Sequence, residues 1–418
     1  LLKANRYIYD GDFERGARVI EIWTQVQSNS TDAFSAMARI SRMRGTAESL
    51  QMASAAYDRL LELDPQDLGI LRQKAEVEQQ RGDYEEAALY LRNFLEQEPD
   101  SSDGHRQLAG VYQALGDLEA AQETLEDATI LSDNPLESEL GLARLEARRG
   151  FFNEAEERLD EQLSDELSPQ QQVQLLAART EVAYVRGQIG KTMALNAETN
   201  EVAKAFMSPI ARLLGIENQQ STMLVLLGRN DEAIAITNDI TAQLQPPMDA
   251  SLNFTYTTIY DATNDREAYR AVVDRTLVVR DQISPIFEPF IEMQLARLAI
   301  WDEDFDRAAQ HLERSSELFG QSFIQMFQDN LSSSSLHVML AELFLEANYL
   351  EESRVRLEEI LKVFPANGHA KLVYAKVLMA QGEAEAGREA LVEAREIWSD
   401  ADADFIYNLE SESLLSQL

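Results

Sequence analysis

Gly82-Asp83-Tyr84-Glu85-Glu86-Ala87 and Gly116-Asp117-Leu118-Glu119-Ala120-Ala121 are one turn written twice, 34 residues apart, within the stretch from Leu68 to Asp133. An apolar run of helical period precedes each glycine, and a second one follows. The glycine ends the first helix where the backbone turns left-handed, which it does without a Cβ penalty. Asp83 and Asp117 are placed to cap the second helix. The small residues Ala75, Ala87, Ala109 and Ala121 let paired helices approach closely, and Leu91 and Leu125 fill the space between them. Pro99 ends its helix because it cannot continue the hydrogen-bond ladder. One such pair cannot bury its apolar face alone, so the pairs must stack.

Leu108-Ala109 and Tyr112 before the second turn, and Ala121, Leu125 and Ala128 after it, fall at the signature positions of a 34-residue helix–turn–helix repeat. Ala75, Ala87, Leu91 and Pro99 hold the matching places in the first copy. The stretch resembles the tetratricopeptide repeat (TPR) family. That resemblance implies an all-α fold, a right-handed solenoid of antiparallel helix pairs, and binding of other proteins as the activity. Turns at residues 11, 45, 82, 116, 150, 187, 228, 264, 303, 348 and 382 give about eleven pairs. The array reads as regular over residues 1–205, degenerate over 206–335, and regular again over 336–418 with a terminal capping helix. Trp398-Ser399-Asp400-Ala401-Asp402-Ala403-Asp404 resembles the tail that follows the last repeat in many bacterial members, with Ala403 in place of a common proline.

Departures from the period are also legible. Gly45 and Gly82 are 37 apart, which predicts an inter-helix turn lengthened by three residues. Ser168-Pro169 starts a helix, a long helix covers Met193 to Phe206, and Ser208-Pro209 breaks it. Gln321 to Ser335 reads as an insertion or a lengthened helix.

With 73 acidic and 37 basic residues the net charge is -36. Nucleic acid and anionic membranes demand a basic footprint, so neither is expected as a partner. No run approaches the roughly 18 apolar residues of a membrane span. The absence of cysteine excludes disulfides and thiolate metal sites, and favours a bacterial periplasmic or lipoprotein-type envelope setting over the cytoplasmic alternative. The chain opens on Leu1, so it is expected to be a trimmed fragment with any leader or anchor upstream.

Signals for catalysis are weak. His105, His311, His337 and His369 are too scattered for a local metal motif. Gly187-Gln188-Ile189-Gly190-Lys191-Thr192 imitates the end of a phosphate loop, but Val185 stands where its first glycine belongs. Asp400, Asp402 and Asp404 alternate like a calcium loop, but Phe405 and Ser411 replace the required Gly and Glu, so they read as a charged linker. Asn29, Asn253 and Asn330 head formal glycosylation sequons. No enzyme activity, cofactor or metal is expected.

The TPR resemblance implies that first helices line the binding groove. Reading their groove positions gives Arg39, Arg42, Arg72, Gln79, Arg106, Gln113, Arg144 and Arg148. Arginine forks pair carboxylates bidentately, so this row fits a partner protein or an acidic peptide. The competing reading is that the arginines balance Glu76, Glu137 and other acids on neighbouring helices. Phe290, Met293, Ile300 and Trp301 read as core in preference to an apolar groove. The expected function is a non-catalytic scaffold in an envelope assembly. The alternative is the sensory or regulatory region of a larger signalling or transcription protein.

Overall fold

The computed structural model describes residues 6–7, 13–44, 46–164, 166–246, 248–282, 287–327, 331 and 334–418. Among them every regular element is a helix. In chain order these are α1 (Phe13–Val26), α2 (Thr31–Arg44), α3 (Ala47–Leu63), α4 (Leu68–Arg81), α5 (Tyr84–Gln97), α6 (Ser102–Leu115), α7 (Leu118–Leu131) and α8 (Leu136–Arg149). There follow α9 (Phe152–Glu161), α10 (Pro169–Val185), α11 (Ile189–Ala203), α12 (Pro209–Arg212), α13 (Asn218–Leu226), α14 (Asn230–Ala242), α15 (Asn253–Ala262) and α16 (Arg266–Val278). The last are α17 (Glu288–Trp301), α18 (Phe305–Phe327), α19 (Ser334–Glu346), α20 (Leu350–Val363), α21 (Gly368–Ala380), α22 (Ala384–Ile397) and α23 (Ile406–Leu415).

Nine of the predicted turns share one geometry. Gly82, Gly116, Gly150, Gly187, Gly228 and Gly382 have positive φ, and so do Asn264, Glu303 and Asn348. At each, the left-handed residue and its successor return their N–H groups to the last turn of the preceding helix; Gly82 N bonds Gln79 O and Asp83 N bonds Glu78 O. This is the Schellman closure, and it satisfies carbonyls that the helix end would otherwise orphan. The turns predicted at Gly11 and Gly45 lie outside the described residues, as does Asn330.

Three expectations need correction. The spacing between Gly45 and Gly82 is not a longer turn. The step from Arg44 to Ala47 matches that from Arg81 to Tyr84, and α3 itself is lengthened, to 17 residues against 14 in α5. Three residues are nearly one helical turn, so the added length keeps the buried face in register. Asp83 makes no capping bond, although Asp117 accepts from Ala120 N; the Asp83 carboxylate pairs with Arg81 at 2.9 Å instead. The long helix predicted over Met193 to Phe206 stops at Ala203, ahead of the expected break at Ser208-Pro209, and Ser208 caps α12 by accepting Ala211 N. The predicted elongation near Gln321 is α18, which runs 23 residues to Phe327.

The chain divides into two compact units, residues 1–138 with 320–329, and residues 139–319 with 330–418. In the first, Ile20, Ile40, Tyr57 and Leu60 form one cluster, and Ala75, Ala87, Leu91, Leu108 and Val111 the next. A buried leucine such as Leu91 contributes roughly 1.5–3 kcal/mol.

The second unit closes on itself. Ile189, Met223 and Leu226 share a core with Leu372, Leu391, Trp398 and Phe405. Trp398 Nε1 donates to Val185 O at 3.2 Å, and Ala366 N donates to Arg148 O at 2.9 Å. Gly187 is required twice over. Its φ is +71°, and a Cβ there would lie 2.6 Å from the Phe405 ring. Gly228 is equally left-handed, but a Cβ there would meet no atom within 4 Å. Both Gly→Ala changes incur the left-handed penalty of about 1–2 kcal/mol, and Gly187→Ala adds an overpacking penalty of about 1–3 kcal/mol. Urea unfolding is expected to show Gly187→Ala as the more damaging change by that margin.

Candidate functional site

The first helices carry acids and bases at positions that meet one repeat later. In the N-terminal unit, Arg42 on α2 bonds Glu76 on α4 at 2.6 Å, and Arg106 on α6 pairs with Glu137 on α8 and with Asp103. In the C-terminal unit, Arg144 on α8 bonds Glu181 on α10 at 2.9 Å. Arg297 on α17 joins Asp261 on α15 at 3.1 Å and also Glu346 on α19. Lys376 on α21 bridges Glu342 on α19 at 3.1 Å and Glu410 on α23 at 2.7 Å. The period makes this ladder: a residue and its partner about one repeat away lie on adjacent first helices.

The environment of the rungs varies. Burial pushes the Asp261 carboxyl up to about 6 against the opposing charge of Arg297. Glu342 resists the same desolvation and is held well below the usual carboxylate range by His369 and Lys376. His369 stacks on Tyr407 with ring centroids 4.0 Å apart.

The predicted binding residues divide between the units. Arg39 is exposed, while Arg42, Arg72, Gln79, Arg106 and Gln113 are half-buried. Arg72 lies over the Phe94 ring at 5.5 Å. Arg42 and Arg106 hold Glu76 and Glu137, so the balancing acids of the competing reading are real partners. Arg144 and Arg148 are in the C-terminal unit, where the face is occupied. Glu181, the partner of Arg144, also accepts Leu331 N at 3.3 Å. Arg148 is only 7% exposed, faces the Phe364 ring at 6.0 Å, and has its carbonyl taken by Ala366. Arg148 therefore does not line an open groove: the chain's own later repeat covers it. Met293 and Ile300 are buried, as the core reading expected, while Phe290 and Trp301 are half-buried.

Sequence reading missed two groupings. Lys74 is 2% exposed and bonds Ser54 Oγ at 2.8 Å, Asp58 at 2.6 Å and Glu78 at 2.9 Å. Lys74, Ser54 and Asp58, with Arg81, Asp83 and Tyr90, line a depression of about 580 Å³. No motif announces it, since Lys74 merely precedes the helix-packing Ala75. The second grouping is the tail. Asp400, read as part of a charged linker, pairs with Arg186, and Asp402 accepts Gly190 N at 2.6 Å. The false phosphate loop is thus an anion site after all, filled by the chain's own carboxylate; Lys191 turns away to Glu156 at 2.8 Å. The sequon at Asn253 is closed off, because that side chain is buried and donates to Thr276.

Helix pairs joined by repeated Schellman turns and stacked through their first helices define an all-α solenoid. Family models described as tetratricopeptide repeat match residues 45–106, 78–137 and 338–402. Over these residues the chain carries tetratricopeptide repeats, which in general serve as protein-interaction scaffolds. Comparison with curated proteins finds no match. Among solved structures, the APC/C hetero-tetramer Cut9–Hcn1 is similar at 11% identity and TM-score 0.45, over 100% of this chain and 82% of that one. A tetratricopeptide repeat protein from Parabacteroides merdae is similar at 14% identity and TM-score 0.38, over 77% and 96%. The Pseudomonas aeruginosa protein pilF is similar at 17% identity and TM-score 0.35, over 49% and 89%. Among the described residues, no helix is long and apolar enough to cross a membrane.

The rungs should differ in weight. Arg42 and Glu76 are both substantially solvated, so Arg42→Ala is expected to cost below about 1 kcal/mol. Glu181 is only 8% exposed, and Arg144→Ala would strand its charge at about 3 kcal/mol. Chemical denaturation of the two variants checks the order; equal losses would contradict it.

Proposed function

We propose that the protein is a non-catalytic scaffold that holds a protein segment across the first-helix face of residues 1–138, with Arg39, Arg72, Gln79, Arg106 and Gln113 as contacts. The observation that carries this reading is the behaviour of the same face in the C-terminal unit. There, Arg148 engages the later segment Phe364–Ala366 through a backbone hydrogen bond from Ala366 N and a guanidinium–ring contact with Phe364.

An acidic partner segment fits this chemistry by exchange. Arg42 and Arg106 already hold carboxylates at half-exposed positions, so a partner carboxylate replaces one already present. Such an exchange adds little net attraction, and selectivity comes from the planar geometry of the guanidinium fork. Arg72, whose guanidinium lies over the Phe94 ring at 5.5 Å, adds a further cation to this face. A bacterial envelope setting accords with the cysteine-free composition. Catalysis is disfavoured at the contact between Ser54 and Lys74. Although burial works against its charge, Lys74 is raised by Asp58 and Glu78, which keeps it a cation unable to take a proton from Ser54.

The test combines capture from the source lysate with photo-crosslinking from positions 79 and 113. A protein crosslinked at both positions, and captured at least tenfold less by a folded Arg39→Glu/Arg72→Glu chain, is the expected result. Undiminished capture by that variant, or crosslinks absent from both positions, would contradict the proposal.

A further inference from the structure

The segment Trp398–Phe405 sits in the C-terminal unit as a ligand sits in a receptor. Its aromatic ends are buried: Trp398 donates to Val185 O, and the Phe405 ring covers Gly187. Its acids are placed between them. Asp400 pairs with Arg186, which is itself 8% exposed, and the Asp402 carboxylate accepts Gly190 N at 2.6 Å. Asp402 also returns its own N–H to Gly187 O at 3.0 Å.

The receptor side is incomplete alone. The N-cap of the 15-residue α11 is Gln188, whose side chain makes no capping bond. The first-turn N–H of Gly190 and the positive end of the helix therefore face a carboxylate supplied from 212 residues away. Arg186 adds a fixed cation beside it, and the bare Gly187 leaves room for an aromatic ring.

We propose that the turn joining α10 to α11 is a docking site for aromatic–acidic segments of the pattern Trp-x-Asp-x-Asp-x-x-Phe. Residues 398–405 are its resident occupant, and the same segment of a second copy of this chain is the occupant in trans. Each contact made in cis is available in trans, because none depends on the covalent connection between the two elements. The resident segment has the advantage of effective concentration, so exchange requires that its hold be weakened.

The probe is a fluorescent peptide of residues 397–408, titrated by anisotropy against full-length chains. In one chain the resident acids are neutralised, Asp400→Asn/Asp402→Asn; in a second the anchors are cut, Trp398→Ala/Phe405→Ala. Circular dichroism reports which remain folded, and the conservative asparagine chain carries the test if the second does not. The expected result is at least tenfold tighter peptide binding to the weakened chain than to the native one. That gain should vanish for a peptide carrying the same two asparagines, and when Arg186→Ala is added to the weakened chain. Equal binding to native and weakened chains, no binding to either, or binding indifferent to Arg186 and the peptide's aspartates would overturn the proposal.

Discussion

The N–H of Gly190 donates to a carboxylate 212 residues further along the chain, and the C-terminal unit takes its form from the docking that this bond belongs to. A linear array of helix pairs has only nearest-neighbour contacts, and its ends fray first. Joining two distant points of an unstructured chain of that length would cost on the order of 5 kcal/mol in closure entropy. One charge-assisted hydrogen bond, at about 1.5–3 kcal/mol, does not offset that. The closure depends on stacked repeats having removed most of the freedom, and on burial of Trp398 and Phe405 at roughly 1.5–3 kcal/mol each or more. The aspartates then select which turn the aromatic rings meet.

Charge follows the same economy of position. In a chain with 73 acids and 37 bases, cations are scarce, and the first helices use them between repeats. Arg297 serves Asp261 and Glu346, and Lys376 serves Glu342 and Glu410, so single cations each join three helices. Solvated rungs such as Arg42–Glu76 add little stability. Buried members such as Glu181 are a liability without their partners.

How much of this was readable depended on range. The left-handed turns from Gly82 to Gly382 were legible because each is a local event, decided by one residue and the helix before it. Even Asn264, Glu303 and Asn348 were found by spacing where glycine was missing. Arg42 and Glu76 stand one period apart and were legible as neighbours for the same reason. The lengthened α3 was misplaced, since three extra residues in a helix and in a turn shift the next glycine equally. Arg186 with Asp400, Gly190 with Asp402 and Arg148 with Ala366 were out of reach. A repeat period predicts which units are adjacent in an open stack, and carries nothing about where a later unit folds back. The one trace was Gly187 with Gly190, whose resemblance to a phosphate loop reflected the same backbone need for an anion.

Native-state hydrogen exchange across a urea series tests the closure most directly. If the docked segment Trp398–Phe405 ties the C-terminal unit together, amides in the first turn of α11, in α10 and in α22 share one opening free energy and converge on one urea dependence. If α22 and α23 instead open at lower free energy, leaving α10 and α11 protected as in an array fraying from its end, the closure is not what holds the unit, and the account fails.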